Sequence, residues 1–273
     1  MWAVTALSQS RVPPKETSQA FWLSYVGEHA ISKRWDLHLE GYGTWLGPIS
    51  NKDFTFLRPG VRRTFGDDLS TLIAYSYFKH FPAGTGASDS LPEHRISQDI
   101  QWSHALPAIG SGTSTLTYRL RHEERFLSTE TGQNEVEWVF NQRTRFRATA
   151  RFPLPQRSRL LPNYVSIYDE VFVNSSVHQT QDRLNQNLTS AGAGWKLRKF
   201  LDLELGYLHQ YGPSARGSLG AHNQVLTVTL FSNAPWHARR RENEDLLRGI
   251  RNSVPGFHRK TSCRGDGLES RSP

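Results

Sequence analysis

The sequence predicts an all-β chain: a transmembrane, antiparallel, up-and-down β-barrel of about twelve strands, with ten as the other count it fits, followed by a disordered C-terminal tail. Three observations carry this. Arginines and carboxylates recur on a two-residue period opposite apolar residues, the alternating segments are long, and they fill nearly the whole chain between tight and longer turns in alternation.

The period is plainest in two segments. Thr117, Arg119, Arg121, Glu123 and Arg125 alternate with Leu116, Tyr118, Leu120 and Phe126; Arg143, Arg145, Arg147, Thr149 and Arg151 alternate with Phe146, Ala148, Ala150 and Phe152. Successive strand side chains point to opposite faces, so each segment carries charge on one side and an apolar surface on the other. A soluble antiparallel sheet also alternates, so length and number must decide. Ordinary strands have about five or six residues. The segments here reach about ten or more, which suits the roughly 9–11 residues of a tilted bilayer crossing.

Composition agrees. Only 37% of the 273 residues are hydrophobic, and the mean hydropathy is −0.58. No stretch approaches the roughly 18 apolar residues of a membrane helix. A barrel needs apolar residues on only the outer half of each strand, and the 11% aromatics fit its two interfaces. The lone cysteine, Cys263, excludes an intrachain disulfide and a cysteine metal site. A net charge of +8 raises nucleic acid as a partner, but the arginines interleave with carboxylates along strands instead of clustering, so no nucleic acid is expected.

Taken in order, alternation between turn signals marks strands at 19–30, 34–45, 54–65, 68–80, 93–106, 113–127, 137–153, 163–174, 183–198, 200–212 and 222–232. The second places Asp36 and Glu40 on its charged face, and the third Arg58 and Arg62. The fifth carries Glu93, Arg95 and Asp99; the sixth Arg119, Arg121, Glu123 and Arg125; the seventh Arg143, Arg145, Arg147 and Arg151. The eighth adds Glu170, and the tenth Asp202 and Glu204. The first, fourth, ninth and eleventh rest on alternation alone. Ile31-Ser32-Lys33, Gly66-Asp67 and Leu197-Arg198-Lys199 are tight connections. Gly84 to Pro92, Ser128 to Glu135 and Gly212 to Ala221 are longer, the pattern of short periplasmic turns and longer outside loops. Eleven segments sit awkwardly with the even strand number of bacterial single-chain barrels, so a twelfth strand is expected within Met1 to Ser8.

The chain therefore divides into a segment 1–18, a barrel 19–232 and a basic tail 233–273. Met1 to Ser8 has no basic region and too short an apolar run for a signal peptide, so the export signal is expected upstream of this start. Pro235 to Pro273 holds nine Lys/Arg and five acids and reads as disordered, with a weak helix around Glu242 to Arg251.

Several strings, in order over about residues 20–232, resemble a bacterial outer-membrane family known only as domain of unknown function 2490. They are Phe21-Trp22-Leu23-Ser24-Tyr25, Trp35 to Gly41, Leu57-Arg58-Pro59-Gly60-Val61, Pro92-Glu93-His94-Arg95, Tyr118 to Phe126, Tyr168 to Asn174, Asn185-Gln186-Asn187 and Leu205 to Tyr211. The resemblance implies a β-barrel in the Gram-negative outer membrane with no assigned activity and no catalytic residues. Where the family pattern runs Gln-Asn-Arg, this chain has Gln186-Asn187-Leu188. Strands of this kind finish at an aromatic residue recognised by the outer-membrane assembly machinery, a role that Phe231 matches.

Ten inward arginines against eight acids imply a nearly neutral lumen cross-linked by salt bridges, because buried charges must pair and arginine's planar fork suits carboxylates. The candidate network is Arg58, Arg95, Arg119, Arg121, Glu123, Arg125, Arg143, Arg145, Arg147, Glu170 and Glu204. Three readings stay open. The network stiffens a filled barrel; or it lines a narrow passage favouring anions or small solutes; or the protein is an outer-membrane lipid hydrolase using His104, His122 or His209 on the outer face, though no serine stands out beside them. Gly192, Gly194 and Gly206 are expected at bends or close packing. No cofactor, metal or catalytic residue is assigned, and the expected partners are outer-membrane lipid and the assembly machinery.

Overall fold

A computed structural model describes residues 16–47, 49, 51–81, 91–106, 112–130, 136–175, 184–213 and 219–236. Its elements are all strands: β1 (Glu16–Ala30), β2 (Trp35–Leu46), β3 (Asn51–Phe65), β4 (Leu69–His80), β5 (Leu91–Leu106), β6 (Ser114–Glu130), β7 (Val136–Pro153), β8 (Tyr164–Asn174), β9 (Leu184–Arg198), β10 (Leu201–Pro213) and β11 (Leu219–Ser232). Each expected segment is a strand, with ends displaced by no more than three residues.

Neighbours in sequence pair antiparallel, and the sheet closes on itself through β1 and β11. That closing pair is parallel, from Glu16 opposite Ala221 to Gly27 opposite Ser232. The barrel thus has eleven described strands, which corrects the count of twelve. With an odd number the first and last strands point the same way, and β11 occupies the edge of β1 that a twelfth strand would need. Met1 to Ser8 lies outside the described residues, as does the basic tail from residue 237 onward. Side chains reinforce the seam: Ser18 Oγ donates to Asn223 Oδ1 at 2.5 Å, and Ser24 Oγ lies 2.7 Å from Thr229 Oγ1.

Register fixes the tilt. A line of paired residues starting at Trp35 passes Arg63, Thr71, Ile100, Leu120, Phe146, Val171, Asn187, Tyr211 and His222 and reaches β1 at Thr17. Across the first hairpin, however, Trp35 faces Ile31, whose amide donates to the Trp35 carbonyl at 2.9 Å. The two arrivals on β1, Thr17 and Ile31, are fourteen positions apart, a stagger that tilts the strands by about 40° to the barrel axis.

Turn chemistry matches the tight rim. Gly66, between β3 and β4, has φ 65°, a left-handed conformation that favours glycine. Packing explains another glycine. A Cβ on Gly194 would stand 2.0 Å from the Tyr164 ring carbon Cζ, so the tyrosine lies flat over the position and holds β8 against β9. Pro59 within β3 leaves a gap in the β3–β4 ladder between Leu57 and Gly60. Beside it the outer wall dips into an apolar depression of about 490 Å³ lined by Leu37, Val61, Ile73, Tyr75 and Ile96.

The two faces have opposite character. Arg58, Glu93, Asp99, Glu123 and Glu170 point inward and are buried, whereas Ile73, Leu226, Leu57, Ile100 and Phe146 point outward and are exposed. Aromatic side chains crowd both ends of the outer face. Trp35, Phe65, Trp102 and Trp195 mark the tight-turn rim; Phe21, Trp45, Tyr77, Phe126 and Tyr211 lie toward the other.

Candidate functional site

Among the described residues, the interior is where the strands converge the most chemically active groups, and its geometry follows from period and register. On β7, Arg143, Arg145 and Arg147 share the inner face at two-residue spacing. β6 sets Glu123 opposite Arg143, and β8 sets Glu170 opposite Arg147. Arg145 spans the two carboxylates, donating from Nε to Glu170 Oε1 at 2.8 Å and from Nη1 to Glu123 Oε1 at 2.9 Å. Glu170, fully buried, also accepts from Arg119 Nη2 at 2.6 Å and from Arg147 Nε at 2.8 Å. Glu123 accepts from Arg143 Nε at 2.8 Å.

From Glu123 the ion pairs continue around the wall. Arg121 lies 3.9 Å from Glu123 and forks onto Asp99 with two bonds of 2.9 Å. Asp99 accepts from Arg58 Nη2 at 3.1 Å, while Arg58 Nη1 donates to Glu40 at 2.9 Å. Arg58 thus bridges β2 and β5 past β4, whose neighbouring inner positions carry only Ala74 and Ser76. His38 joins Glu40 to Glu28, at 3.4 and 2.8 Å, and Arg62 donates to Glu28 and to Ser70 Oγ. One chain of charge therefore runs from β1 to β8.

The structure distributes the expected residues unevenly. Arg95 and Arg125 belong to a separate node: both donate to Glu93, which also meets His80 Nε2 at 3.0 Å. The register explains this, since Arg95 and Arg125 face each other nearer the other rim. Glu204 is on the inner face but outside the network; its nearest cation is Arg151 Nη2 at 3.9 Å, and its Oε2 has no hydrogen-bond partner. The lining is also not charged all round. Ala20, Phe172, Leu188, Leu208 and Val225 form a buried apolar cluster on β1 and β8–β11, flanked by Trp22 and Tyr168. Opposite, Tyr42, Phe56 and Phe78 stack at centroid distances of 4.6 and 4.5 Å. Cations rest on these rings, Arg95 at 3.5 Å from Phe78 and Arg145 at 4.1 Å from Phe172.

Glu28 and His38 were not anticipated, because the inner positions preceding Glu28, from Ser18 to Val26, carry no charge to set a period and His38 reads as neutral. Leu188 stands where the resemblance led one to expect arginine. It is buried in the apolar cluster, directly across the ladder from Glu170.

The family described as protein of unknown function (DUF2490) matches residues 19–219, from the first strand to the start of the last. The chain belongs to this family. No curated protein and no solved structure matches it. The matched span of this DUF2490 chain contains the whole charged chain and the Glu93 node.

On the outer face of this DUF2490 barrel, His104 packs at a tilt against Trp102 and Tyr118, His122 lies 3.4 Å from Thr144 Oγ1, and His209 lies 3.1 Å from His222. None of the three rings meets a serine hydroxyl among the described residues. Asp169 also faces outward, accepting from Asn187 Nδ2 at 3.1 Å and from Thr189 Oγ1 at 2.7 Å.

Proposed function

We propose that this protein is an outer-membrane β-barrel whose lumen is closed by its own charge network and apolar layer, so that it acts as a rigid membrane-embedded scaffold and not as an open porin. The observation that carries the reading is the inverted polarity of the wall. Soluble monomers rarely expose contiguous apolar patches beyond a few hundred Å². Here exposed Leu57, Val61, Ile73, Ile96, Ile100, Leu120 and Phe146 continue from strand to strand, while carboxylates and guanidinium groups occupy the interior. Aromatic side chains toward both rims support the same setting, since such girdles sit at the two interfaces of membrane barrels. In this reading the partners are outer-membrane lipid and, during biogenesis, the machinery that inserts barrels.

The test is refolding into vesicles followed by planar-bilayer recording. Heat-modifiable gel mobility together with no channel steps fits the closed scaffold. Regular steps from the pure protein would overturn closure and favour a second reading, a narrow anion-favouring passage. The convergence of Arg119, Arg145 and Arg147 on the single carboxylate Glu170 supports that alternative. In that case Arg145→Glu would abolish the anion preference.

A further inference from the structure

We infer that copies of this barrel associate laterally, head to tail, by setting the Asp169 cluster of one copy against Gln98 of the next. The inference rests on the membrane setting proposed above. In a bilayer the outer face meets hydrocarbon, where polar groups are costly unless another protein group answers them.

Asp169 lies on the outer face of β8, exposed, between Ile167 and Val171. Asn187 and Thr189 of β9 occupy three of its acceptor positions, leaving room on Oδ1 for a further donor. Small residues lie beside it on the outer face: Ala148 stands opposite Asp169 on β7, and on β9 Ala191 follows its partner Thr189 on the same face. Small outward residues beside a polar group let a second backbone come close, as they do between membrane helices.

Gln98, on the outer face of β5 between Ile96 and Ile100, is exposed, and its amide has no hydrogen-bond partner among the described residues. Opposite it on β4 is Ile73, one wall of the depression beside Pro59. An amide with free donors and a carboxylate with a free acceptor are complementary. Their levels agree as well: the register and tilt bring Gln98 and Asp169 to within roughly 1 Å of the same height, midway between the aromatic rims. Equal height is what a ring with its axis along the membrane normal demands. The two positions are separated by roughly 100° around the barrel, an angle that closes a ring of about four or five copies.

The test uses the full chain with Cys263→Ser, refolded in dilute phosphatidylcholine–phosphatidylglycerol vesicles and oxidised. Gln98→Cys combined with Asp169→Cys is expected to yield a ladder of covalent oligomers ending at the closed ring, while neither single-cysteine chain cross-links. Without cysteines, Asp169→Leu is expected to lower the association constant by about tenfold or more. Dimers from either single-cysteine chain would overturn the head-to-tail contact, and so would a heat-modifiable barrel that stays monomeric. A chain that never becomes heat-modifiable in lipid would overturn the membrane reading and this inference together.

Discussion

Glu170 Oε1 accepts from both Arg119 and Arg145, at 2.6 and 2.8 Å, so one buried carboxylate ties β6, β7 and β8 together. Removing one member of a buried ion group leaves the others uncompensated, at about 3–5 kcal/mol. Glu170→Ala is therefore expected to lower the unfolding free energy by about that much in a denaturant titration of the vesicle-bound protein. Arg145→Met should cost less, since Glu123 retains Arg143 and Glu170 retains Arg119 and Arg147. Equal losses for the two variants would contradict the assignment of Glu170 as the shared node.

Phe146, 48% exposed on the outer face of β7, separates the membrane setting from an aqueous one. In a bilayer, Phe146→Lys is expected to cost about 2–4 kcal/mol of folding free energy, because the position falls near mid-depth. In water the same change at an exposed site would be within about 0.5 kcal/mol of neutral. Titration in vesicles discriminates the two.

Gly194 tolerates no side chain without moving Tyr164, whose ring atoms would lie 2.0–2.4 Å from a new Cβ. Gly194→Val should destabilise the barrel by about 1–3 kcal/mol through overpacking. The double variant with Tyr164→Ala should recover part of the loss, and strict additivity would show that the contact is not the cause.

Leu188→Arg tests the position where the resemblance leads one to expect an arginine. The new guanidinium would enter the cluster of Phe172, Leu208 and Val225 beside a carboxylate already holding three arginines. A loss of about 2 kcal/mol or more is expected, from burying a charge with no free partner. Adding Arg145→Leu should relieve it by vacating one of the two acceptor positions occupied on Glu170 Oε1.

The strands were legible because period-2 contrast is strong wherever charge faces apolar surface, as in Arg143 to Phe152. The same contrast vanishes on β9 to β11, where Leu188, Leu208 and Val225 point inward and Leu205 and Leu226 outward. Both faces are apolar there, so alternation marks a strand without saying which side is the lumen. Pair identities were hidden for another reason. That Arg119 meets Glu170, 51 residues on, depends on two successive ladder registers, and composition within one strand carries no record of either. The strand number differed by one, on parity, because the sequence alone says nothing of a parallel closing pair.

That closing pair has a kinetic consequence. Ten antiparallel pairings join each strand to the next in sequence, and one contact remains, between β1 and β11, that no hairpin turn can dock. Its hydrogen bonds join residues about 200 positions apart, as between Ser24 and Thr229. Contacts of such sequence separation carry the largest loop-closure cost and are the slowest to form. The barrel is thus expected to zip around from its hairpins and lock last along β1 and β11. Until it does, two exposed edges face each other in the same chain direction.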